Sequence, residues 1–347
     1  MDTIREVLEA AGGVLRRRDL LAAGFTGYQL TRAVRSGHVR RARRGWYTTF
    51  AADDLASEAV RVGGRLTGAA LLARYGAWIW DAYGLTVAVP PHAARLRPRR
   101  GFHVVWTDTI GPAALDDPGI VAGSLWAVPL GEALVQAARE SSREQAVAFL
   151  DWALAAGLAS IADLRRWFAA APADLRGIVE WADPGSQSVI ETIPRVRFVE
   201  SGRHVQTQVP VGTRGHAIDL VVDDVAVEPD GRRFHEQSFE ADRLKDLLVI
   251  ADGRPVLRPS YDMIRRRWEL VEAAVHEASL MQHRPERRAE TGLQSGSGSP
   301  EGPRPSGGAR PSRGARASGG AARRSQDIPR PRRRRGARRW RLEARAW

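Results

Sequence analysis

The sequence predicts an α+β chain of several domains that ends in a basic tail without stable structure. Segments with helical and with strand-like apolar spacing alternate along the chain up to about residue 275. The 347 residues correspond to two or three domains of roughly 100–200 residues, and 43% hydrophobic residues suffice for real cores. From Met281 onward the composition changes to Arg, Pro, Gly and Ser with almost no aliphatic residues, which predicts disorder.

Composition and pattern divide the chain into four parts. We expect a winged helix-turn-helix at residues 1–50, a mixed α/β middle domain at 51–180, an α/β domain at 181–276 and a disordered Arg/Pro/Gly-rich tail at 277–347. Residues 284–347 hold 18 arginines against five acidic residues, which equals the whole net charge of +13. The rest of the chain is therefore neutral. The tail would bind nucleic acid without sequence preference, or it has no role.

The sequence excludes several classes of protein. It contains no cysteine, so disulfides and thiolate metal sites are absent. No apolar run reaches the ~18 residues that a membrane helix needs, and the first residues carry no signal-peptide pattern. We therefore expect a cytoplasmic protein without membrane contact.

The first 48 residues predict three short helices followed by a basic hairpin. Helical apolar spacing covers residues 3–11, and a second helix at 18–24 ends at a glycine. Thr26 is a suitable cap for a third helix that ends at Gly37. The segment 38–48 reads as a hairpin with an arginine-rich tip.

This order of elements is typical of a winged helix-turn-helix, which binds DNA. The third helix would present Gln29, Arg32 and Arg35 to a major groove. The hairpin would contact phosphates, which position a protein without reading sequence. Its candidate residues are Arg40, Arg41, Arg43 and Arg44. The alternative is a small helical domain with a solvated basic loop.

These residues resemble the N-terminal domain of AbiEi-type antitoxins, a winged helix that binds DNA. The resemblance implies DNA as a partner, leaves room for a cognate toxin, and places the protein at the nucleoid. The middle domain also resembles the middle of AbiEi-like proteins, and we find no catalytic constellation in it. The matching segments are Gly12-Gly13-Val14, Leu20-Leu21-Ala22-Ala23-Gly24, residues 40–47, 72–77 and 148–154.

The middle and third domains show clear secondary-structure patterns. Between residues 68 and 168 we expect helices at 68–76, 130–157 and 161–168, and strands at 85–90 and 102–106. In the third domain Ser188 and Glu191 fit a capping box, and Pro194 would have to kink or end the helix at 189–199. The remaining expected elements are a strand at 205–211, a helix at 239–250, a strand at 253–257 and a helix at 261–274.

A hairpin at residues 218–231 concentrates acidic residues. With Asp223-Asp224 as a two-residue turn, Asp219 lies opposite Glu228, and Asp230 shares the face of Glu228. Like charges at this spacing destabilise a strand pair, and a divalent cation such as Mg²⁺ would relieve the repulsion. The alternative is that these acids are solvated strand-end residues, because a turn shifted by one residue exchanges the faces.

The order of elements around this hairpin resembles the DUF559 domain, a relative of the very-short-patch-repair endonucleases among the PD-(D/E)XK, or restriction-endonuclease-like, proteins. That family has an α/β/α core. The resemblance of the whole chain covers roughly residues 1–275. The matching segments of the third domain are residues 214–220, 227–235, 239–246 and 255–258.

The DUF559 resemblance implies a phosphodiesterase that uses Mg²⁺ or Mn²⁺. Asp219 and Glu228 would hold the metal ion, which polarises a phosphate and activates water. Asp230 would join the metal shell or orient the water, Glu191 would be an outer ligand, and His235 would act as general acid/base or contact phosphate.

Pro229 departs from the family pattern, which usually has Val at this position. Proline cannot donate the ladder hydrogen bond expected opposite Ile218, so the hairpin should bulge or stop there and displace Asp230. We expect weakened or lost cleavage as a result.

The sequence leaves two main hypotheses for the function and one further alternative. The first is a DNA-binding, metal-dependent endonuclease of defence or repair type. The second is a non-catalytic, antitoxin-like regulator whose nuclease fold only binds DNA or a partner. A partner-binding scaffold is the third. Metal binding separates the first two.

Overall fold

The computed structural model of the chain describes residues 3–94, 96–97, 101–107, 120–212, 216–230 and 247–282. The predicted disordered tail begins at residue 277, but residues 277–282 belong to a helix that continues to Gln282. The rest of the predicted tail lies outside the described residues, and its disorder stays a prediction. Within the described ranges, no helix is both long enough and apolar enough to cross a membrane.

The N-terminal unit, residues 3–50, contains three helices and a small antiparallel sheet in the order β1-β3-β2. The predicted layout of three helices followed by a hairpin is confirmed. Strand β1 was not predicted. Its three residues pair with β3, after Gly12 and Gly13 turn the chain at positive φ. The elements are α1 (Ile4–Ala10), β1 (Val14–Arg16), α2 (Arg17–Ala22), α3 (Gly27–Arg35), β2 (Arg40–Arg43) and β3 (Trp46–Thr48).

The middle region combines a three-stranded sheet with a group of helices. The sheet order is β4-β5-β6, with β4 antiparallel and β6 parallel to β5. The elements are α4 (Leu55–Val62), β4 (Arg65–Thr67), α5 (Gly68–Arg74), β5 (Leu85–Val89), β6 (Phe102–Trp106), α6 (Leu130–Glu140), α7 (Arg143–Ala155), α8 (Ile161–Phe168) and α9 (Ala173–Ile178).

Two of the predicted helices are each divided in the structure. The helix expected at 130–157 breaks at Ser141, which is extended, and Ser142 then caps α7 by accepting a hydrogen bond from the Gln145 N–H at 3.3 Å. Serine competes with the helical backbone for hydrogen bonds, which explains the break. The helix expected at 261–274 divides at Arg267. In contrast, α10 continues through Pro194 and does not end there.

The C-terminal region builds a four-stranded sheet in the order β10-β9-β8-β7. Neighbouring strands are antiparallel except β9 and β10, which are parallel. The elements are α10 (Val189–Glu200), β7 (Val205–Val211), β8 (His216–Val222), β9 (Val225–Val227), a helical segment at 247–251 (α11), β10 (Val256–Leu257), α12 (Tyr261–Arg266) and α13 (Trp268–Gln282).

Helices cover both faces of this sheet. On one face, Phe198 of α10 and Val275 of α13 pack against Leu220 in a buried cluster. On the other face, Val249 of α11 packs against Val221 and its neighbours. This arrangement gives the hairpin of β8 and β9 an apolar environment on both sides.

One hydrophobic core joins the N-terminal unit to the middle region. The core runs without interruption from Leu8 of α1 through the middle helices to Val196 of α10. Trp126 is central to it. Its Nε1 donates to the Gly12 carbonyl at 2.8 Å, and its ring meets Phe50 edge-to-face at 5.5 Å between centroids. The two regions are therefore packed together as well as connected.

Candidate nucleic-acid interface

Helix α3 begins at a complete capping box. The Thr26 hydroxyl accepts a hydrogen bond from the Gln29 N–H at 3.3 Å, and Gln29 Oε1 accepts one from the Thr26 N–H at 2.7 Å. The predicted cap at Thr26 is confirmed. Gln29 was expected to face a major groove, but the structure shows its carbonyl oxygen bonded to the start of its own helix. Only the amide nitrogen of Gln29 is left to contact a base.

Besides Gln29, the exposed surface of α3 carries four polar or aromatic side chains. They are Tyr28, Thr31, Arg32 and Arg35, which follow one another at helical spacing. Leu30 on the opposite face is fully buried. Arg32 and Arg35 thus lie where the sequence predicted them. Tyr28 was missed, although it is 76% exposed, four residues before Arg32 and in the first turn of the helix.

The hairpin β2–β3, which we call the wing, divides its four arginines into two pairs. Arg41 and Arg44 are exposed. Arg40 is half-buried, and its Nη1 donates to the Phe50 carbonyl at 3.1 Å and to Ser57 Oγ at 3.3 Å. The structure therefore places two of the predicted phosphate contacts at the surface and engages the other two, Arg40 and Arg43, with protein groups.

Trp46 holds two of the arginines near the wing. The Arg16 guanidinium lies 5.0 Å from the Trp46 ring centroid, and that of Arg43 lies 5.3 Å from it. Both residues face Trp46 across the sheet, one from each neighbouring strand. Burial, and then the charges of Arg97 and Arg16, lower the pKa of Arg43. Arg97 and Arg16 thus add positive charge close to Arg43.

The predicted register of the acidic hairpin is confirmed. Val222 pairs with Val225 and Leu220 with Val227, and Asp223 and Asp224 form the turn with φ of 46° and 68°. Continuing this register by one residue places Asp219 opposite Glu228. Glu228 is buried, with 7% of its surface exposed, and Asp219 is half-buried. Asp230 is exposed.

Pro229 marks the end of pairing between β8 and β9, as the sequence predicted. The ladder stops after Leu220 and Val227. On the other edge, the N–H groups of Glu228 and Asp230 donate to the carbonyls of Leu257 and Pro259 at 2.9 and 3.0 Å. Residues 228–230 thus continue to pair with the segment after β10. That pairing uses no hydrogen bond from Pro229.

The other predicted members of the acidic site are distributed differently. Glu191 accepts hydrogen bonds from the Gln187 N–H at 2.9 Å and the Ser188 hydroxyl at 2.7 Å, so its carboxylate turns toward the start of α10. Ser188 does not accept the reciprocal bond of the predicted capping box. His235 lies outside the described residues. Among residues that the structure does describe, no group of three or more His, Cys, Asp or Glu side chains could hold a metal ion.

Comparison with known proteins identifies a relative for the N-terminal unit. Residues 2–49 match a family model described as transcriptional regulator, AbiEi antitoxin, which confirms the resemblance for this part. A search of curated proteins finds no significant match. The resemblance of residues 181–276 to DUF559 stays a prediction.

A solved structure is similar to a larger part of the chain. It is described as the crystal structure of the RV2827C protein from Mycobacterium tuberculosis, and the two sequences are 18% identical. The similarity covers 56% of this chain and 80% of that one, with a TM-score of 0.28. A similarity of this size does not show a shared fold.

Proposed function

We propose that this chain is a DNA-binding transcriptional regulator of antitoxin type and that its N-terminal unit is a winged helix-turn-helix. The main observation in support is the exposed face of α3. Its polar side chains lie opposite the buried Leu30 and beside a basic wing. Residues 1–50 hold ten arginines and four acidic residues, a net charge of +6. The family match over residues 2–49 supports the same function. A cognate toxin is the expected protein partner.

The dimensions of α3 suit a major groove. Its nine residues span about 13 Å, and the groove is about 12 Å wide. Arg32 and Arg35 would read guanine edges, the commonest specific contact of arginine, while Tyr28 would contact bases or the sugar-phosphate edge from the first turn. Arg41 and Arg44 of the wing would bind phosphates.

Removing the two arginines of α3 should lower sequence preference. We expect Arg32→Gln/Arg35→Gln to weaken binding to a preferred duplex by about 2–6 kcal/mol, at about 1–3 kcal/mol for each base contact. The effect on an unrelated duplex should be much smaller. The preferred duplex is first selected from a random-sequence library with the full chain, and affinities are then measured by fluorescence anisotropy at fixed salt.

Arg165→Gln/Arg166→Gln is the matched control. Both residues lie on α8, and their side chains are 60% and 69% exposed, so the same charge is removed far from α3 along the chain. The control should leave the preference for the selected duplex unchanged. Equal losses for both double variants, or failure of the wild type to bind duplex DNA, would refute the proposal.

A second candidate function is hydrolysis of DNA phosphodiester bonds at the acidic hairpin. One local feature favours it. Regular backbone pairing of β8 is interrupted at Asp219 on both sides. The β8–β9 ladder ends at Leu220, one residue before Asp219, and the β7–β8 ladder omits Gln208, which lies opposite Asp219. Gln208 has a left-handed φ of 49°, which is costly for a residue other than glycine. Such strain concentrates at functional sites.

The residues of this site suit a hard divalent cation. Asp219 and Glu228 provide carboxylates from adjacent strands, and oxygen ligands of this kind bind Mg²⁺ or Mn²⁺. When bound, the ion would polarise a phosphate and lower the pKa of a water molecule. Asp230 would complete the ligands or orient the water, and Glu191 and His235 would act from the outer shell.

Asp219→Ala should abolish any nicking of supercoiled plasmid in the presence of Mg²⁺ or Mn²⁺. Proline at position 229 has no N–H to donate to β8, so Pro229→Val should extend the pairing between β8 and β9. If the proline weakens cleavage, the same substitution should raise the nicking rate. Nicking by the wild type that persists in Asp219→Ala would refute the assigned site. Absence of Mg²⁺ and Mn²⁺ uptake in calorimetry would leave the regulator as the function.

A further inference from the structure

A cleft lined by arginine separates the start of α2 from the tip of the wing. Its volume is about 350 Å³, and it is lined by Arg16, Arg17, Arg18, Arg44, Gly45 and Trp46. We call it the arginine cleft. None of the six lining residues is acidic. Sequence patterns assigned a function only to Arg44 among them, because the other three arginines lie at the junction of β1 and α2 and were not part of the predicted hairpin.

Backbone pairing fixes the two sides of the arginine cleft relative to each other. The Arg17 N–H donates to the Gly45 carbonyl at 2.8 Å, and Arg16 pairs with Trp46 across β1 and β3. The cleft is therefore present before any ligand binds. Two guanidinium groups already engage the Trp46 ring, so this ring serves to hold arginines in place and is poorly available for stacking a base.

The side chains that face the arginine cleft retain a strong positive charge. Arg17, Arg18 and Arg44 are exposed, whereas Arg16 is half-buried beneath them. One nearby carboxylate, Asp19, accepts a hydrogen bond from the Arg16 N–H at 3.2 Å and pairs with Arg18 Nε at 3.3 Å. It offsets one of the four charges. Guanidinium forks of this kind match the geometry of a phosphate group.

The arginine cleft adjoins the start of α3. A Cβ atom built on Gly27, the first residue of α3, would lie 3.0 Å from Arg17 Nη2. The Arg17 guanidinium therefore lies next to the helix that presents Tyr28, Arg32 and Arg35. A duplex with its groove on α3 would bring a neighbouring backbone phosphate toward this cleft.

We propose that the arginine cleft binds a backbone phosphate of duplex DNA without reading base sequence. This inference rests on the proposed function of the N-terminal unit. In this arrangement α2 and the tip of the wing together fix the position of the duplex relative to the protein, whereas α3 supplies the sequence preference. Arg17 and Arg44 are the contacting residues, and the pairing of Arg16 with Trp46 and the bond from the Arg17 N–H to Gly45 hold the backbone segments that carry them.

The test compares the salt dependence of binding in four full-length proteins. These are the wild type, Arg17→Gln/Arg44→Gln, Arg17→Lys/Arg44→Lys and the α8 variant Arg165→Gln/Arg166→Gln. Each is titrated with two 30-base-pair duplexes of unrelated sequence over a range of salt concentrations. Thermal unfolding of each variant is recorded in parallel, so that a loss of folding is recognised.

We expect the glutamine variant of the cleft to bind both duplexes more weakly and to the same extent, by about tenfold or more at 0.1 M salt. Its slope of log affinity against log salt should fall by about 0.9 for each phosphate that the variant no longer neutralises. The lysine variant should restore most of the slope, because it keeps both charges. The α8 variant should match the wild type, although it lacks the same number of charges.

Two outcomes would overturn the inference, and they are distinguishable. If the wild type binds DNA but the glutamine variant keeps the salt slope of the α8 variant, neither the cleft nor Arg44 binds phosphate, while DNA binding through α3 stands. If the wild type binds neither duplex, the proposed function fails, and the inference fails with it.

Discussion

Arg195→Met will destabilise the folded protein by about 3–5 kcal/mol, because it leaves the carboxylate of Asp151 buried without its countercharge. Asp151 is 0% exposed, and its Oδ2 lies 2.8 Å from Arg195 Nη2. The same carboxylate accepts hydrogen bonds from the Thr192 hydroxyl at 2.7 Å and from the Asp183 N–H at 2.8 Å. The network joins α7 to α10, so its removal should loosen the packing between these helices. Urea unfolding followed by circular dichroism measures the change.

The deficit of Arg195→Met should depend on pH in a defined direction. Burial raises the pKa of Asp151, and Arg195 opposes that rise. Without Arg195 the folded-state pKa rises further above the unfolded value of about 3.9. The folded state then binds more protons than the unfolded state, so stability falls as pH increases above that value. The variant should therefore lose less stability at pH 5 than at pH 8.

A double variant separates the buried charge from the change in packing. Asp151→Asn/Arg195→Met removes both charges and keeps an acceptor for the Asp183 N–H. We expect it to regain a large part of the missing stability and to show little pH dependence, because no buried carboxylate remains. If the single and double variants were equally unstable at every pH, the charge of Asp151 would not be the cause.

Arg197→Lys will destabilise the protein by about 2 kcal/mol or more, although the charge is retained. The Arg197 guanidinium donates to both oxygens of Glu144 at 2.7 and 3.0 Å and to the Ile264 carbonyl at 2.7 Å. It also lies over the rings of Trp268 and Trp80, at 5.0 and 5.8 Å. Lysine cannot reproduce a planar fork that makes all these interactions together, and hydrogen bonds to charged groups contribute about 1.5–3 kcal/mol.

Arg143→Lys is the matched control for Arg197→Lys. Arg143 also pairs with a glutamate, Glu200, at 2.6 Å and lies 5.3 Å from the Trp181 ring, but its side chain is 54% exposed. An exposed pair contributes little, so we expect a change within about 0.5 kcal/mol. The thermal unfolding midpoints of both variants and the wild type provide the comparison. Similar shifts for the two substitutions would show that burial of Arg197 is not the reason for its effect.

Local sequence rules predicted the elements whose determinants are local. The turn at Asp223-Asp224 and its register follow from alternating apolar residues on both sides of two turn residues. The cap at Thr26 follows from a threonine three residues before a glutamine. In both places the residues that decide the structure are adjacent in the sequence, so no knowledge of the rest of the fold was needed.

The elements that the sequence did not reveal depend on distant partners. Strand β1 has three residues and no periodicity of its own, and it exists because β3 supplies its hydrogen bonds. The arginine cleft was missed for the same reason, since Arg18 and Arg44 on its two sides are 26 positions apart and meet only through that pairing. Asp151 and Arg195 are 44 positions apart, and no local pattern indicates that they meet.

The hydrogen bond from Trp126 to the Gly12 carbonyl has a consequence for how this protein is divided. The matched residues 2–49 end before the tryptophan that closes their core. A fragment limited to the matched residues would leave Phe50 out and expose the apolar side of the remaining helices to water. The length that matches the family model is thus shorter than the length that the continuous hydrophobic core covers. We expect the N-terminal unit to fold together with the helices of the middle region that share its core.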